Sequence, residues 1–139
     1  MTNEMKLCFS AKSENEVFAR VCVSAFILPL DPKVNDMTDI KTAVSEAVTN
    51  AIIHGYADSS GEVSLSCRYE DNTVYIEIAD KGCGIEDISL AKKPLYTSKP
   101  ELERSGMGFT VMEAFMDSVE VSSQPGEGTV VKLVKHLRD

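Results

Sequence analysis

Three polar residues in one segment have the spacing of neighbours on a helix surface. Glu46, Asn50 and His54 stand four residues apart, so in a helix their side chains lie close to one stripe. The residues between them are mostly apolar, which places these groups at the margin of a buried face. Such groups need partners, because an unpaired buried polar group costs about 1–3 kcal/mol. The spacing alone favours the plainer alternative, a solvated stripe of ordinary helix-forming residues.

A carboxylate continues an apolar row on a predicted strand. The alternating apolar residues from Val74 to Ile78 face inward, and Asp80 follows them by the same period of two. Burying a carboxylate is costly unless donors satisfy it, and Gly82-Cys83-Gly84 supplies flexible backbone at the same place. The amino group of an adenine is one suitable neutral donor. An aspartate that caps the turn through its own side chain fits the pattern equally well.

A second glycine pair, Gly106-Met107-Gly108, directly precedes a helical pattern. Backbone N–H groups at a helix start bind anions, and glycines let a phosphate come close to them. Alone this motif is weak, and a plain turn is the commoner reason for it. Neither glycine pair completes G-x-G-x-x-G, since Asp87 and Val111 occupy the last positions. The P-loop and protein-kinase strings are also missing, which excludes Rossmann, Walker and eukaryotic-kinase sites.

Hydrophobic periodicity predicts the strands and helices that must position these residues. The predicted elements are a strand through Met5, Leu7 and Phe9; a helix with an apolar stripe of Val17, Val21, Ala25 and Leu28; a second helix capped by Asn35 or Asp36 and running to about His54; a hairpin with apolar rows at 63–69 and 74–78; a third helix from Phe109 to Phe115; and a hairpin at 119–134. This order predicts an α+β fold. We expect a two-layer sandwich with a mixed, mostly antiparallel sheet and about three helices on one face.

Composition restricts the function classes. The 139 residues carry 14 basic and 22 acidic side chains, for a formal net charge of -8. That balance argues against broad binding to nucleic acid or anionic membranes, since both need a basic face. No apolar run approaches the roughly 18 residues of a membrane span, and the four cysteines show no C-x-x-C spacing. We expect one domain over residues 1–139, with reduced thiols, in the cytoplasm.

Four motifs in a fixed order carry a family resemblance. They are Glu46-Ala47-Val48-Thr49-Asn50, Asp80-Lys81-Gly82-Cys83-Gly84-Ile85, Gly106-Met107-Gly108 and Gly126-Glu127-Gly128-Thr129. Together they resemble the N, G1, G2 and terminal Gly-Thr boxes of the GHKL superfamily of ATP-binding folds, which includes gyrase and the histidine kinases. The resemblance covers about residues 36–134. Within the superfamily, the string from Asn50 to Tyr56 is similar to the N-A-x-x-H-[GA]-Y motif of the small anti-sigma-factor serine kinases.

The resemblance implies a Bergerat-type fold that binds ATP and Mg²⁺. By position, Asn50 matches the Mg²⁺ ligand, and Glu46 matches the glutamate that orients or deprotonates the attacking hydroxyl. Asp80 matches the aspartate that receives the adenine amino group, with Thr129 beside it. The positions that match hinges or phosphate-approaching glycines are Gly82, Gly84, Gly106 and Gly108.

The segment from about 91 to 105 resembles the lid that closes over ATP in this family. Its four cations lie within 13 residues, and they are Lys92, Lys93, Lys99 and Arg104. We expect Lys99 or Arg104 to contact the terminal phosphate, and Ser105 and Met107 to contact the nucleotide. The alternative is that both cations are solvent-exposed, which is the commoner fate of such residues in loops.

The resemblance further implies protein partners, because we expect this to be a stand-alone kinase module without the dimerisation helices and phosphoacceptor histidine of a sensor kinase. They are a sporulation sigma factor, which the protein sequesters, and an anti-anti-sigma protein, which it phosphorylates on serine. One alternative is a nucleotide-switched binding module without transferase activity, and another is an ATP-hydrolysing clamp. Arg20, opposite the predicted apolar stripe of the first helix, is the candidate partner contact. We expect a homodimer formed through this helix or the first strand, although no residue points to it directly.

Overall fold

Alternating apolar residues build a five-stranded sheet, and helices cover it. The computed structural model describes residues 1–55, 61–81, 108–124 and 128–138. Its elements are β1 (Thr2–Ser10), α1 (Asn15–Ile27), a 3-10 turn (Leu28–Leu30), α2 (Val34–Asn50), a π-helical turn (Ala51–Gly55), β2 (Glu62–Glu70), β3 (Thr73–Asp80), α3 (Gly108–Phe115), β4 (Ser118–Gln124) and β5 (Gly128–His136).

The strand order is β1-β2-β3-β5-β4, and each of these four neighbouring pairs is antiparallel. The inward side chains of β2 and β3 are fully or almost fully buried, as a period of two requires. They form one core with the buried residues of the three helices. Each fully buried aliphatic side chain in such a core contributes about 1.5–3 kcal/mol. The prediction of an α+β sandwich is confirmed.

Helix α2 lies at the centre of the helical layer, because it packs against both α1 and α3. Its buried face consists of Ile40, Ala43, Val44, Ala47 and Val48. The helical path continues past Asn50 through the π-helical turn to Gly55, so the predicted end near His54 is close to the observed one. None of the helices in the described ranges is long and apolar enough to span a bilayer.

The prediction for the buried face of α1 is wrong. Val17, Val21 and Leu28 are 49%, 55% and 61% exposed, whereas the core contacts come from another stripe. That stripe consists of Ala19, Val23 and Ile27. Both stripes are apolar at helical spacing, so periodicity alone cannot decide which one faces the sheet.

Arg20 therefore does not stand opposite a buried stripe. Its side chain is 36% exposed and lies at the margin of the face that packs on the core. Its Nε atom is 3.9 Å from Glu16 Oε1, one helical turn earlier, and is itself buried without a hydrogen bond to any residue that the structure describes. The Arg20 side chain is thus less exposed than the apolar residues Val17, Val21 and Leu28.

The start of α2 also differs from the prediction, and Asp36 has another role. The helix begins at Val34 without a side-chain cap, and Asp36 lies buried in its first turn. Its Oδ2 accepts the backbone N–H of Arg138 at 2.8 Å, and its Oδ1 accepts Arg138 Nε at 3.0 Å. This carboxylate ties the residues after β5 to the first turn of α2.

We expect Asp36→Asn to lower the free energy of unfolding by about 2 kcal/mol, because the amide presents a donor where two donors already converge. Urea denaturation measures the change. The matched control is Glu70→Gln, since Glu70 forms an exposed pair with Arg68 at 3.5 Å. That substitution should change stability by at most about 0.5 kcal/mol. Equal effects of both substitutions would contradict the assigned role of Asp36.

Cys67 is a buried core residue on β2. Burial raises the pKa of its thiol to about 12, because the apolar surroundings disfavour the thiolate. At neutral pH this cysteine is therefore an inert hydrophobic group, as its inward position on β2 predicts.

Candidate functional site

Glu46, Asn50 and Gly108 lie together where the end of α2 meets the start of α3. A methyl group on Gly108 would lie 3.1 Å from Asn50 Nδ2 and 3.3 Å from Glu46 Oε2. Both side chains are half-buried, at the margin of the buried face of α2. The predicted spacing on one helix stripe is thus realised, and the absence of a Cβ at Gly108 allows the close approach of the two helices.

The first turn of α3 therefore opens beside a carboxylate and an amide. The backbone N–H groups at the start of a helix have no intrahelical partners, and they carry a partial positive charge. The amide oxygen of Asn50 adds a neutral acceptor. This arrangement could hold an anion at the helix start, and the amide oxygen of Asn50 could serve as one ligand of a cation.

Asp80 and Thr129 form a second polar pair, at the end of β3 and the start of β5. They are direct neighbours in the antiparallel register, and each is 8% exposed. The predicted inward position of Asp80 is therefore correct, and the sheet brings together the two residues assigned to the base. A buried acceptor beside a hydroxyl matches the polar edge of a purine.

Gly128 permits this close pairing. Its φ is +105°, a conformation that side-chain-bearing residues rarely adopt. A Cβ at this position would collide with the backbone oxygen of Asp80 and would lie 2.7 Å from Lys81 Cα. The glycine before Thr129 thus holds the start of β5 against the end of β3.

Ser123 is a site residue that the sequence reasoning missed. Its Oγ lies 2.8 Å from Thr129 Oγ1, and it donates to the backbone oxygen of Gly128 at 3.1 Å. When Ser123 donates to Gly128, Thr129 must donate to Ser123, so the lone pairs of Thr129 remain available as acceptors. The alternation of Val119 and Val121 along β4 could have identified Ser123, because it is the next residue on the same side.

The π-helical turn links α2, which carries Glu46 and Asn50, to the sheet, which carries Asp80 and Thr129. It follows Asn50 directly and packs against both β3 and β5, the strands that carry Asp80 and Thr129. Such turns are rare and frequently occur at functional sites. Within the described parts of the chain, no group of three or more His, Cys, Asp or Glu side chains could hold a metal ion.

Several predicted site residues lie outside the described residues. They are Gly82, Gly84, Lys99, Arg104, Ser105, Gly106 and Met107, together with the predicted lid at about 91–105. Arg20 lies on α1, apart from the two polar groups on α2, α3 and the sheet.

Comparison with known proteins gives relatives that are about 60% identical over nearly the whole chain. The family model of the histidine kinase-like ATPase domain matches residues 9–135. The anti-sigma F factor of Bacillus subtilis (strain 168) is 59% identical over 138 residues, which cover 99% of this chain and 94% of that protein. The anti-sigma F factor of Geobacillus stearothermophilus is 60% identical over 136 residues, covering 97% of this chain and 93% of that protein. This chain belongs to the anti-sigma F factor family.

The comparisons confirm the family predicted from the motifs. A histidine kinase-like ATPase domain is a nucleotide-binding fold, in agreement with the GHKL resemblance. A crystal structure of the RsbU and RsbW domains of Rv1364c from Mycobacterium tuberculosis has the same fold, with a TM-score of 0.69 and 20% identity. The match covers 99% of this anti-sigma F family chain and 33% of that one.

Proposed function

We propose that this protein is an anti-sigma factor and an ATP-dependent protein serine kinase. It binds a sporulation sigma factor of the sigma-F type and blocks its association with RNA polymerase. It also phosphorylates an anti-anti-sigma protein on serine, which inactivates that antagonist. The convergence of Glu46, Asn50 and Gly108 at the start of α3 carries the proposal, since it combines a carboxylate with a helix start, and helix starts are suited to binding phosphate.

The adenine site lies at Asp80 and Thr129. The carboxylate of Asp80 accepts the exocyclic amino group of the base, and Thr129 contacts the same edge. Their burial and their adjacency in the register support this assignment. Guanine carries a carbonyl oxygen at the position of that amino group, so the carboxylate would repel it.

We expect Asp80→Asn to weaken ATP binding by roughly 10–100-fold, which corresponds to the loss of one hydrogen bond to a charged group. Calorimetric titration with ATP and GTP measures both affinities, and the preference for ATP should fall with the substitution. Glu77→Gln on the outward face of β3 is the matched control and should bind ATP as the wild type does. Unchanged ATP affinity in Asp80→Asn would refute the assignment.

The phosphate site lies between α2 and α3. Asn50 would hold Mg²⁺ through one amide oxygen, and this donor set fits a cation that retains waters and takes its other ligands from phosphates. Bound Mg²⁺ neutralises the charge that develops on the transferring phosphoryl group. We assign the remaining phosphate contacts to Lys99 or Arg104 of the lid and to the glycine-rich segments. These residues are Gly82, Gly84, Ser105, Gly106, Met107 and Gly108.

Glu46 is the proposed catalytic residue. It accepts the proton of the substrate serine hydroxyl as the serine oxygen bonds to the γ-phosphorus. The bond from that phosphorus to the β–γ bridging oxygen breaks, and ADP leaves with the bonding electron pair. Glu46 then releases the proton to water. Its position one turn before Asn50 places the base next to the cation ligand.

Incubation of the protein with γ-labelled ATP, Mg²⁺ and a candidate anti-anti-sigma protein tests the kinase proposal. Label on a serine of the candidate supports it. Nucleotide binding without serine phosphate under any condition would instead identify a nucleotide-switched binding module. ATP hydrolysis without a partner would point to a chaperone-like clamp.

The exposed apolar face of α1 supports binding to a protein partner. It consists of Val17, Phe18 and Val21, with Leu28 at the start of the following 3-10 turn, each about half exposed or more. Contiguous apolar surface with an arginine at its margin is typical of interfaces. We assign Arg20 to the partner-binding surface and propose a homodimer through α1 or β1. The net charge of -8 disfavours binding to nucleic acid or to an anionic membrane, and we place the protein in the cytoplasm.

A further inference from the structure

Lys135 is a buried lysine on the inward face of β5. It continues the row formed by Thr129, Val131 and Leu133, and its side chain is only 7% exposed. Lysine is among the residues least often buried, so its ammonium group requires partners at this place.

Its partners come from two different helices. Nζ donates to the backbone oxygen of Phe115, the last residue of α3, at 2.6 Å. It also donates to Asp39 Oδ2 on α2 at 3.2 Å. The carbonyls at a helix end lack intrahelical partners and carry partial negative charge, which makes a cation favourable there. Lys135 thus joins β5, α2 and the carboxyl end of α3.

The two helices run antiparallel, and the candidate site lies at their other end. Asp39 is near the start of α2 and Phe115 ends α3, whereas Asn50 ends α2 and Gly108 begins α3. Gly108 and Phe115 are seven residues apart, or about 10 Å along a helix. We expect a helix of eight residues to move as one unit, so that a shift at Phe115 is transmitted to Gly108.

We propose that Lys135 is a positioning residue for the phosphate site. By holding the end of α3 against α2, it sets the distance between the amino end of α3 and the side chains of Glu46 and Asn50. This inference rests on the proposed function, because it assigns the amino end of α3 to the triphosphate. Displacements of about 1 Å in such sites cost up to roughly 100-fold in rate.

Adenosine binding at the proposed adenine site provides an internal reference for the effect of Lys135 on triphosphate binding. Asp80 and Thr129 are held by the register of β3 and β5 and by Gly128, and neither residue belongs to α2 or α3. Loss of the Lys135 contacts should therefore weaken triphosphate binding and leave adenosine binding unchanged. A merely structural role would lower both affinities by the same factor, through the fraction of folded protein.

Lys135→Met tests this, because methionine keeps an unbranched apolar stem as far as the Cε position and removes the ammonium group. We expect the affinity for Mg²⁺–ATP to fall about tenfold and phosphotransfer at saturating ATP to fall further, with adenosine affinity within twofold of wild type. Lys135→Arg should restore most of the ATP affinity, since a guanidinium can bond both partners. Asp39→Asn should change the ratio of ATP to adenosine affinity in the same direction, and it provides a second test should Lys135→Met fail to fold.

Arg138→Ala is the matched control. Arg138 pairs with Asp36 and Asp39 on α2, as Lys135 pairs with Asp39, but within the described residues its ion pairs do not reach α3. Arg138→Ala should leave the ratio of ATP affinity to adenosine affinity unchanged. Equal losses of ATP and adenosine affinity in Lys135→Met, or a ratio that matches the Arg138→Ala protein, would overturn the role of Lys135 alone. A wild-type protein that binds ATP no better than adenosine and transfers no phosphate would overturn the proposed function as well.

Discussion

Replacing Glu46 with glutamine is expected to slow phosphotransfer to the serine substrate by roughly 10²–10⁴-fold, the usual contribution of a general base. The amide has nearly the same shape and keeps its place beside Gly108, but it cannot accept the serine proton. Affinity for ATP should stay within about threefold, because the adenine and the Mg²⁺ ligand are assigned to other residues. Single-turnover transfer from labelled ATP and a separate ATP titration measure the two effects.

The control for this change is Glu113→Gln. Glu113 lies exposed on α3. Glu113→Gln therefore makes the same chemical change as Glu46→Gln, but on the neighbouring helix and away from Asn50. It should transfer phosphate at the wild-type rate. Transfer by Glu46→Gln at more than about a tenth of the wild-type rate would exclude Glu46 as the proton acceptor. Parallel loss of transfer and ATP binding would instead assign it to the nucleotide site.

Short-range periodicity predicts the parts of the site that lie within a single element. The period of two on β3 places Asp80 inward, and the helical spacing of four places Glu46 and Asn50 on one stripe of α2. Both predictions depend only on the local geometry of the backbone. The same rule applied to β4 and β5 would have identified Ser123 and Lys135.

Contacts between elements could not be predicted in this way. The outer stripe of α1 is as apolar as the inner one, so only the packing of the whole domain decides which stripe is buried. The contact of Gly108 with Asn50 joins residues 58 positions apart, and the motifs alone do not give its distance. Asp36 had a suitable local role as a helix cap, but its bonds to Arg138, across 102 positions, took its place.

Two glycines of the site should differ in how alanine affects the stability of the protein, although both substitutions should weaken ATP binding. Gly128→Ala is expected to lower the free energy of unfolding by about 3 kcal/mol, because it combines a strained φ with a collision against the backbone of Asp80. Neither the oxygen of Asp80 nor the Cα of Lys81 can move without breaking the β3–β5 ladder. The start of β5 must therefore shift, and ATP affinity should fall with it.

Gly108→Ala should keep its stability within about 1 kcal/mol of wild type, since alanine favours a helix over glycine by about that amount. Its methyl group meets only the side-chain ends of Asn50 and Glu46, which can give way by a few tenths of an ångström. That movement displaces the proposed cation ligand and the proposed base, so we expect ATP affinity and phosphotransfer each to fall about tenfold or more. Urea denaturation and ATP titration of both variants separate the effects. Wild-type ATP binding by Gly108→Ala would show that the phosphate site does not lie against the start of α3. An equal loss of stability in both proteins would contradict the predicted difference between a side-chain contact at Gly108 and a backbone collision at Gly128.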